Sequence, residues 1–221
     1  MLDTSLVNIH THNMTLADRI TFVRLVLAPV FFIIYLLPRF FPSIFAVTSP
    51  LIDGNIVFVG APWTVPVLWF IFLGSEFTDM LDGMIARKRG EMSDFGKLFD
   101  PFADTLTQIT YFFCFVIDGI LPPLLFLAVL YREFSILFIR NLMLKKGIAM
   151  GARIGGKIKT ITYVLAGALA LLASSVIRLD IGTGFYREIT FAAVIVFIIS
   201  VVFAVISFID YLSVYIKTPQ Q

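Results

Sequence analysis

Residues 79–104 read D-M-L-D-G-M-I-A-R-K-R-G-E-M-S-D-F-G-K-L-F-D-P-F-A-D, and the rest of the chain is organised around this stretch. Aspartates near its start and near its end recur at helical intervals. Asp79 and Asp82 are three residues apart, and Asp100 and Asp104 are four residues apart, so each pair shares one face of a helix. Two helices can therefore direct two carboxylates each toward a common point.

The chain around this stretch is strongly apolar. Of its 221 residues, 59% are hydrophobic and 14% are charged, whereas a soluble domain carries roughly 25% charged residues. This composition excludes an ordinary soluble protein and predicts an all-α integral membrane protein. The length suits six spans of about 20 residues each with short connections. Cys114 is the single cysteine, so no disulfide can form within the chain.

The apolar segments place the six expected spans. These are residues 15–37, 64–86, 97–116, 124–144, 160–177 and 189–209. Residues 1–14 lack the features of a signal peptide and are expected to lie at the membrane surface. We expect a single membrane domain over residues 15–213, followed by a short cytoplasmic tail at 214–221.

The distribution of Lys and Arg predicts the orientation in the membrane. With six spans, both termini and the loops 87–97 and 145–159 share one face, and that face collects most of the basic residues. The opposite face holds only Arg39, Arg178 and Arg187. By the positive-inside bias, the face with the aspartates is cytoplasmic. We therefore expect a multi-pass protein of the cell (inner) membrane whose active site faces the cytoplasm.

Four carboxylates in an apolar chain repel one another and are costly to desolvate unless cations neutralise them. The stretch contains no Cys or His, so its ligands are all oxygen atoms, which suit Mg²⁺, Mn²⁺ or Ca²⁺ rather than zinc. Four acids can hold two such ions. Gly83 and Gly96 lie beside the acids on the same faces, where the missing side chain allows a bulky ligand to approach. The pattern predicts a divalent-metal site that binds a phosphate.

The spacing D-x2-D-G-x2-A-R-x8-G-x3-D-x3-D resembles the signature of the CDP-alcohol phosphotransferase family. The matching positions are Asp79, Asp82, Gly83, Ala86, Arg87, Gly96, Asp100 and Asp104. Eight fixed positions at fixed spacing make a far more specific signal than a short motif. The resemblance implies an enzyme of phospholipid synthesis that transfers a substituted phosphate from a CDP-linked lipid to an alcohol and releases CMP.

The resemblance also implies roles for these residues. The metal ligands would be Asp79, Asp82, Asp100 and Asp104, holding two Mg²⁺ or Mn²⁺ ions. The residues against the CDP moiety would be Gly83, Ala86, Arg87 and Gly96. Asp104 would in addition be the base that removes the proton of the acceptor hydroxyl. Metals that bridge a pyrophosphate would stabilise both oxygens of an in-line displacement, which fits these residue types.

The fourth predicted span carries three charged residues, Arg132, Glu133 and Arg140. Charged residues within a span usually face a cavity or a partner rather than lipid. Arg132 and Arg140 share a helical face, and two cations facing a cavity suit an anionic acceptor such as a phosphate. The alternative is a purely structural ion pair between Arg132 and Glu133.

Further segments resemble the bacterial phosphatidylglycerophosphate synthases within this family, whose acceptor is sn-glycerol 3-phosphate. The R-E-x6-R pattern at 132–140 and the sequence G-G-K-I-K-T at 155–160 are similar to elements of that group. Thr21 and Arg24 match two positions of its P-N-x-L-T-x-x-R opening. The resemblance therefore favours glycerol 3-phosphate as the acceptor and CDP-diacylglycerol as the donor.

Lys157 and Lys159 either join the acceptor site or anchor the chain at the interface. The sequence also departs from the synthase pattern. Thr105 stands where that group usually has Lys after D-P-x-A-D, and Ala17 and Asp18 replace the Pro and Asn of the opening motif. Inositol phosphate, serine and choline therefore stay open as acceptors.

The expected partners are CDP-diacylglycerol, glycerol 3-phosphate and the lipid bilayer, and the resemblance implies a homodimer. We expect no nucleic-acid partner. A cation transporter or channel is the competing class, because intramembrane acids also line ion paths. That class predicts acids spread across the depth of the bilayer, whereas these acids cluster at one interface beside arginines that would repel a cation.

Overall fold

The computed structural model describes residues 16–45, 51–52, 55–56, 61–89, 94–148 and 154–218. Its elements are α1 (Leu16–Phe40), α2 (Pro42–Phe45), β1 (Leu51–Ile52), β2 (Asn55–Ile56), α3 (Thr64–Arg89), α4 (Asp94–Ile117), α5 (Pro123–Lys145), α6 (Ile154–Arg178) and α7 (Thr183–Lys217). The surface segment predicted at 1–14 lies outside the described residues.

Six long helices, α1 and α3 to α7, each overlap one of the predicted spans. Within the described part of the chain, three helices are long and apolar enough to cross a membrane, at Asp18–Phe40, Ile158–Arg178 and Gly184–Lys217. The other three, α3, α4 and α5, have 26, 24 and 23 residues and carry the four aspartates of the motif together with Arg132, Glu133 and Arg140. The fold is thus that of a helical protein with membrane-spanning helices.

Several helices, α4 and α7 among them, extend beyond the spans predicted for them. α7 has 35 residues and continues to Lys217, so it includes the first residues of the segment predicted as a tail. Backbone hydrogen bonding does not stop where the apolar run stops, and the helix extends through its polar ends. α4 begins at Asp94, three residues before the span predicted at 97–116, so it takes in the end of the loop predicted at 87–97.

A small antiparallel hairpin interrupts the otherwise helical fold. Leu51 pairs with Ile56 and Ile52 pairs with Asn55. The all-α prediction missed it, although the sequence between the strands is Asp-Gly, which is a strong hairpin signal.

The helices pack in two connected groups. α1 packs against α3 and α4, while α7 packs against α5 and α6. Aromatic residues fill the core: the ring centre of Tyr111 lies 4.4 Å from that of Phe31 and 5.3 Å from that of Phe72. Phe112 of the same helix lies 4.9 Å from Phe197 on α7. Because α4 contributes to both contacts, the core joins the two groups of helices.

Gly167 allows α6 to approach α3 closely. A Cβ atom at this position would lie 3.1 Å from the ring of Phe72, which is tighter than an ordinary contact. Gly167 therefore fixes the distance between these helices.

A second polar cluster ties the helices together at the opposite end of the bundle from the aspartate motif. We call it the Arg178 cluster, and its members are Tyr35, Thr64, Asp118, Ser174 and Arg178. The Arg178 guanidinium donates to Ser174 Oγ at 3.0 Å, to Thr64 Oγ1 at 2.9 Å and to the Tyr35 carbonyl at 3.1 Å. The Tyr35 hydroxyl in turn donates to Asp118 at 2.7 Å. The cluster connects α1, α3, α6 and the turn after α4.

Candidate functional site

One cavity of about 250 Å³ brings together the charged residues of four helices. Its charged lining residues are Asp79, Asp100, Asp104, Arg132, Glu133, Arg140 and Lys159. The aspartates come from α3 and α4, and the other charged residues come from α5 and α6. We call the aspartate side the acid end and the Arg and Lys side the cation end.

At the acid end, α1 supplies counter-charge to the carboxylates. Arg24 is 2% exposed, and its Nη1 donates to both Asp79 and Asp104. The Thr21 hydroxyl donates to Asp100 at 2.7 Å. Thr21 and Arg24 lie three residues apart and share one face of α1, so α1 presents both donors to carboxylates on α3 and α4.

The structure thus brings three of the four predicted metal ligands to one cavity. The motif residues whose side chains lie outside the described part of the chain are Asp82, Gly83, Ala86 and Arg87. Their backbone belongs to α3, and Gly96 is buried in α4. Among the described residues, no three acid, His or Cys side chains are close enough together to hold a metal ion, and Arg24 contacts two of the three aspartates. The donor set of carboxylate oxygens nevertheless fits a hard divalent cation.

At the cation end, Glu133 joins two of the predicted acceptor residues. Its Oε1 atom lies 2.8 Å from Arg132 Nη1 and 2.8 Å from Lys159 Nζ. Arg132 also donates to the Ala204 carbonyl at 3.1 Å and to Ser207 Oγ at 3.2 Å, both on α7. The ion pair of Arg132 with Glu133, one of the two predicted alternatives, is therefore present, and Lys159 extends it to a triad.

Arg140 is held differently. Its Nη2 donates to the Tyr211 hydroxyl at 3.0 Å, and its guanidinium carbon lies 5.4 Å from the centre of that ring. Within the described part of the chain, the Nε of Arg140 is buried without a hydrogen-bond partner. Of the two arginines, Arg140 therefore keeps more donor capacity for a ligand. The side chain of Lys157, the remaining predicted acceptor residue, lies outside the described residues.

Two polar lining residues, Gln108 and Tyr211, were not among the predicted site residues. Gln108 accepts from Lys159 at 3.4 Å and stands between the acid and cation ends. A signal for the α7 side existed: Ala204, Ser207 and Tyr211 recur at intervals of three and four residues in an otherwise bulky apolar helix. Such spacing marks one helical face and could have identified the face that contacts α5.

Curated proteins similar to this chain carry related names. A protein of Treponema pallidum (strain Nichols), named CDP-diacylglycerol--glycerol-3-phosphate 3-phosphatidyltransferase, is 36% identical over 91% of this chain and 89% of its own length. A Bacillus subtilis (strain 168) protein with the same name is 30% identical over 71% of this chain and 76% of its own length. A Mycobacterium tuberculosis (strain ATCC 25618 / H37Rv) protein named probable phosphatidylglycerophosphate synthase is 29% identical over 66% of this chain and 65% of its own length.

The sequence model of one protein family, described as CDP-alcohol phosphatidyltransferase, matches residues 14–206. The match covers the six long helices up to the last turns of α7, and with them the acid and cation ends of the cavity. The chain therefore belongs to the CDP-alcohol phosphatidyltransferase family.

Proposed function

We propose that this protein transfers the phosphatidyl group of CDP-diacylglycerol to sn-glycerol 3-phosphate, giving phosphatidylglycerophosphate and CMP. The names of the similar proteins support both substrates. The observation that carries the proposal is the single cavity in which carboxylates at one end face cations at the other. A donor pyrophosphate held at the acid end and an acceptor phosphate held at the cation end would place the acceptor hydroxyl between them.

The proposed membrane arrangement has six spans, formed by α1 and α3 to α7, in one domain over residues 15–213. The basic loops 87–97 and 145–159 then lie on the cytoplasmic side of the cell membrane, with the cavity opening toward them. A homodimer is the proposed assembly. Its support is the resemblance to the family, and cross-linking in native membranes tests it.

We further propose that two Mg²⁺ or Mn²⁺ ions bind Asp79, Asp82, Asp100 and Asp104, since members of the family generally depend on metal ions. When bound, such ions supply charge neutralisation on the pyrophosphate and on the leaving CMP. Gly83, Ala86, Arg87 and Gly96 are assigned to the CDP moiety. Arg87 would then act as a cation facing a phosphate.

Asp104 is assigned as the general base. The hydroxyl oxygen of the acceptor attacks the phosphorus that carries diacylglycerol, the bond from that phosphorus to the CMP oxygen breaks, and the hydroxyl proton passes to Asp104. Asp104 lines the cavity and lies one helical turn from Asp100 and one turn from Gln108, which contacts Lys159 of the cation end, and this placement suits the role.

The cation end favours a phosphorylated acceptor over serine or choline. Arg132, Arg140 and Lys159 line the cavity together. A phosphate monoester brings a net negative charge to these cations, whereas serine is a zwitterion with a net charge near zero and choline is itself a cation. The cavity volume of about 250 Å³ lies below the roughly 300–1,000 Å³ of pockets for drug-sized ligands, so a small acceptor fits. Lys157 is assigned to the same end as a further contact.

The test supplies CDP-diacylglycerol to the purified protein with Mg²⁺ and compares glycerol 3-phosphate, inositol phosphate, serine and choline as acceptors. CMP release should require an acceptor and should be fastest with glycerol 3-phosphate. Faster release with inositol phosphate would reassign the acceptor within the family. Metal flux into liposomes without any CMP release would instead support a transporter.

A further inference from the structure

The acceptor cations of the cavity share it with one buried carboxylate, Glu133, to which the proposed reaction gives no role. Glu133 is 4% exposed and lies on α5 between Arg132 of the same helix and Lys159 of α6. Of the other helices facing this end, α7 contributes the neutral Tyr211, and α4 contributes the neutral Gln108 and, further along the cavity, Asp104, which attracts Lys159 more weakly than Glu133 does. Glu133 is therefore the one anion in direct contact with the cations of this end among the described residues.

The charges at this end nearly match a single phosphate monoester. Arg132, Arg140 and Lys159 carry three positive charges, and Glu133 leaves two of them uncompensated. A phosphate monoester carries about −1.5 to −2 at pH 7. The cation end can therefore neutralise one bound phosphate without retaining a large excess of positive charge.

This match has a consequence for turnover, because the product keeps the acceptor phosphate. The reaction occurs at a hydroxyl of the acceptor, so the same phosphate sits at the cation end before and after transfer. Binding that is equally tight for both lowers KM without accelerating the chemical step. A site with three uncompensated charges would hold both the acceptor and the product more tightly, and the tighter binding would slow release of the product.

We propose that Glu133 sets the charge of the cation end so that it binds the acceptor phosphate and still releases the phosphate-bearing product. This inference rests on the proposed function, but phosphate binding at the cation end can be tested without assuming which acceptor is used. The competing explanation is that Glu133 only neutralises Arg132 and Lys159 for stability, as in buried ion pairs whose breakage is strongly destabilising.

The test uses Glu133→Gln, because the glutamine amide oxygen can accept the same two hydrogen bonds while the charge is lost. The probe is inorganic phosphate, whose binding to the full-length protein in detergent is measured by calorimetry without the donor. Phosphate should bind at least about fivefold more tightly to the variant, since a neighbouring anion has been removed. The acceptor KM and kcat should both fall. Glu188→Gln, at an exposed site near the start of α7, is the matched control. It should change neither the affinity for phosphate nor the kinetic constants.

A second pair of variants applies if Glu133→Gln does not fold. Lys159→Gln alone leaves one uncompensated charge and should weaken phosphate binding, whereas Glu133→Gln combined with Lys159→Gln restores two. Phosphate binding in the double variant should return to within about threefold of the original protein. Binding as weak as in Lys159→Gln, or unchanged binding in Glu133→Gln, would overturn the inference. Because the probe is phosphate, a wrong acceptor assignment would appear separately, as absent turnover of glycerol 3-phosphate by the unaltered protein.

Discussion

Arg178 at one end of the helix bundle and Arg140 at the other differ in how their hydrogen-bond donors are used. Arg178 directs Nε, Nη1 and Nη2 to three protein acceptors, so its donors are consumed by the fold. Arg140 faces the cavity, and its described contact is a single hydrogen bond to Tyr211. An arginine inside an apolar bundle therefore does not by itself indicate a binding site. The partners that take its donors distinguish a structural clamp from a ligand site.

The acids of the two ends differ in the same way. Burial raises the pKa of Asp118, and the charges of Arg178 and Arg39 together with the Tyr35 hydroxyl offset part of this rise. A carboxyl whose folded pKa is raised stabilises the fold most when protonated, and this contribution is lost as the pH rises through the folded pKa. Asp118 is tolerated at neutral pH because the cluster surrounds it with donors. The cavity aspartates are instead placed where a ligand can reach them.

The largest expected effect separates the acids of the two ends. Asp104→Asn should lower turnover by about 10²-fold to 10⁴-fold, the loss typical of removing a general base, while the protein stays folded. Asp118→Asn is the matched control and should leave turnover unchanged. Steady-state CMP release measures the turnover of both variants.

Chelation of divalent ions should abolish turnover, and added Mg²⁺ or Mn²⁺ should restore it. Full turnover in chelator would show that the reaction does not need a metal ion.

The next effect concerns the structural clamp. Arg178→Met should destabilise the fold by about 3–5 kcal/mol, because it leaves Asp118 and its neighbours without their buried partner. Thermal unfolding in detergent measures the loss, and the activity per folded molecule should not change. Arg140→Met should unfold near the temperature of the unaltered protein. Equal destabilisation in both variants would show that the two arginines are not specialised.

A smaller effect distinguishes the two arginines of α5. Arg140→Ala should raise the KM for glycerol 3-phosphate about tenfold or more, as expected for a lost hydrogen bond to a charged group, with the donor KM nearly constant. Arg132→Ala should in addition lower thermal stability, because Glu133 and the α7 groups lose their partner. An unchanged acceptor KM in both variants would count against a phosphate at the cation end.

The smallest effect tests the contact that orients Arg140. Tyr211→Phe removes only the hydroxyl at 3.0 Å and should raise the acceptor KM by about twofold to tenfold. Tyr215→Phe, one turn further along α7, is the control and should leave the acceptor KM unchanged. A loss of thermal stability without any change in KM would mean that Tyr211 supports the helix packing alone.

Local periodicity was enough to predict much of the fold. The spacing of the aspartate pairs predicted that each pair lies on one face of a helix, and both pairs do lie on helices. Each predicted span overlaps a long helix, because an apolar run of about 20 residues has few other structures open to it in a membrane. Helix ends were less accurate, since α7 continues to Lys217 and so includes four residues of the segment predicted as a tail at 214–221.

The contacts of the site could not be predicted in the same way. Arg24 and Asp104 are 80 residues apart, so their contact depends on how α1 and α4 pack and not on any local pattern. The 2.8 Å pair of Arg132 with Glu133 was one of two alternatives that the sequence left open, because the sequence alone does not decide between an ion pair and a ligand contact. Lys159 joins them only through the packing of α6.

The length of α7 indicates how deep in the bilayer the residues proposed to bind the acceptor would lie. Between Glu188 and Asp210 it carries an uninterrupted run of uncharged residues, and 21 residues at about 1.5 Å each extend about 31 Å, close to the roughly 30 Å of a hydrocarbon core. Ser207 and Tyr211, which contact the two arginines, lie on either side of the end of this run. In the proposed membrane arrangement, the cation end would lie where hydrocarbon gives way to headgroups. A water-soluble acceptor could then reach it without entering the lipid, and a lipid donor could present its phosphate without leaving the membrane.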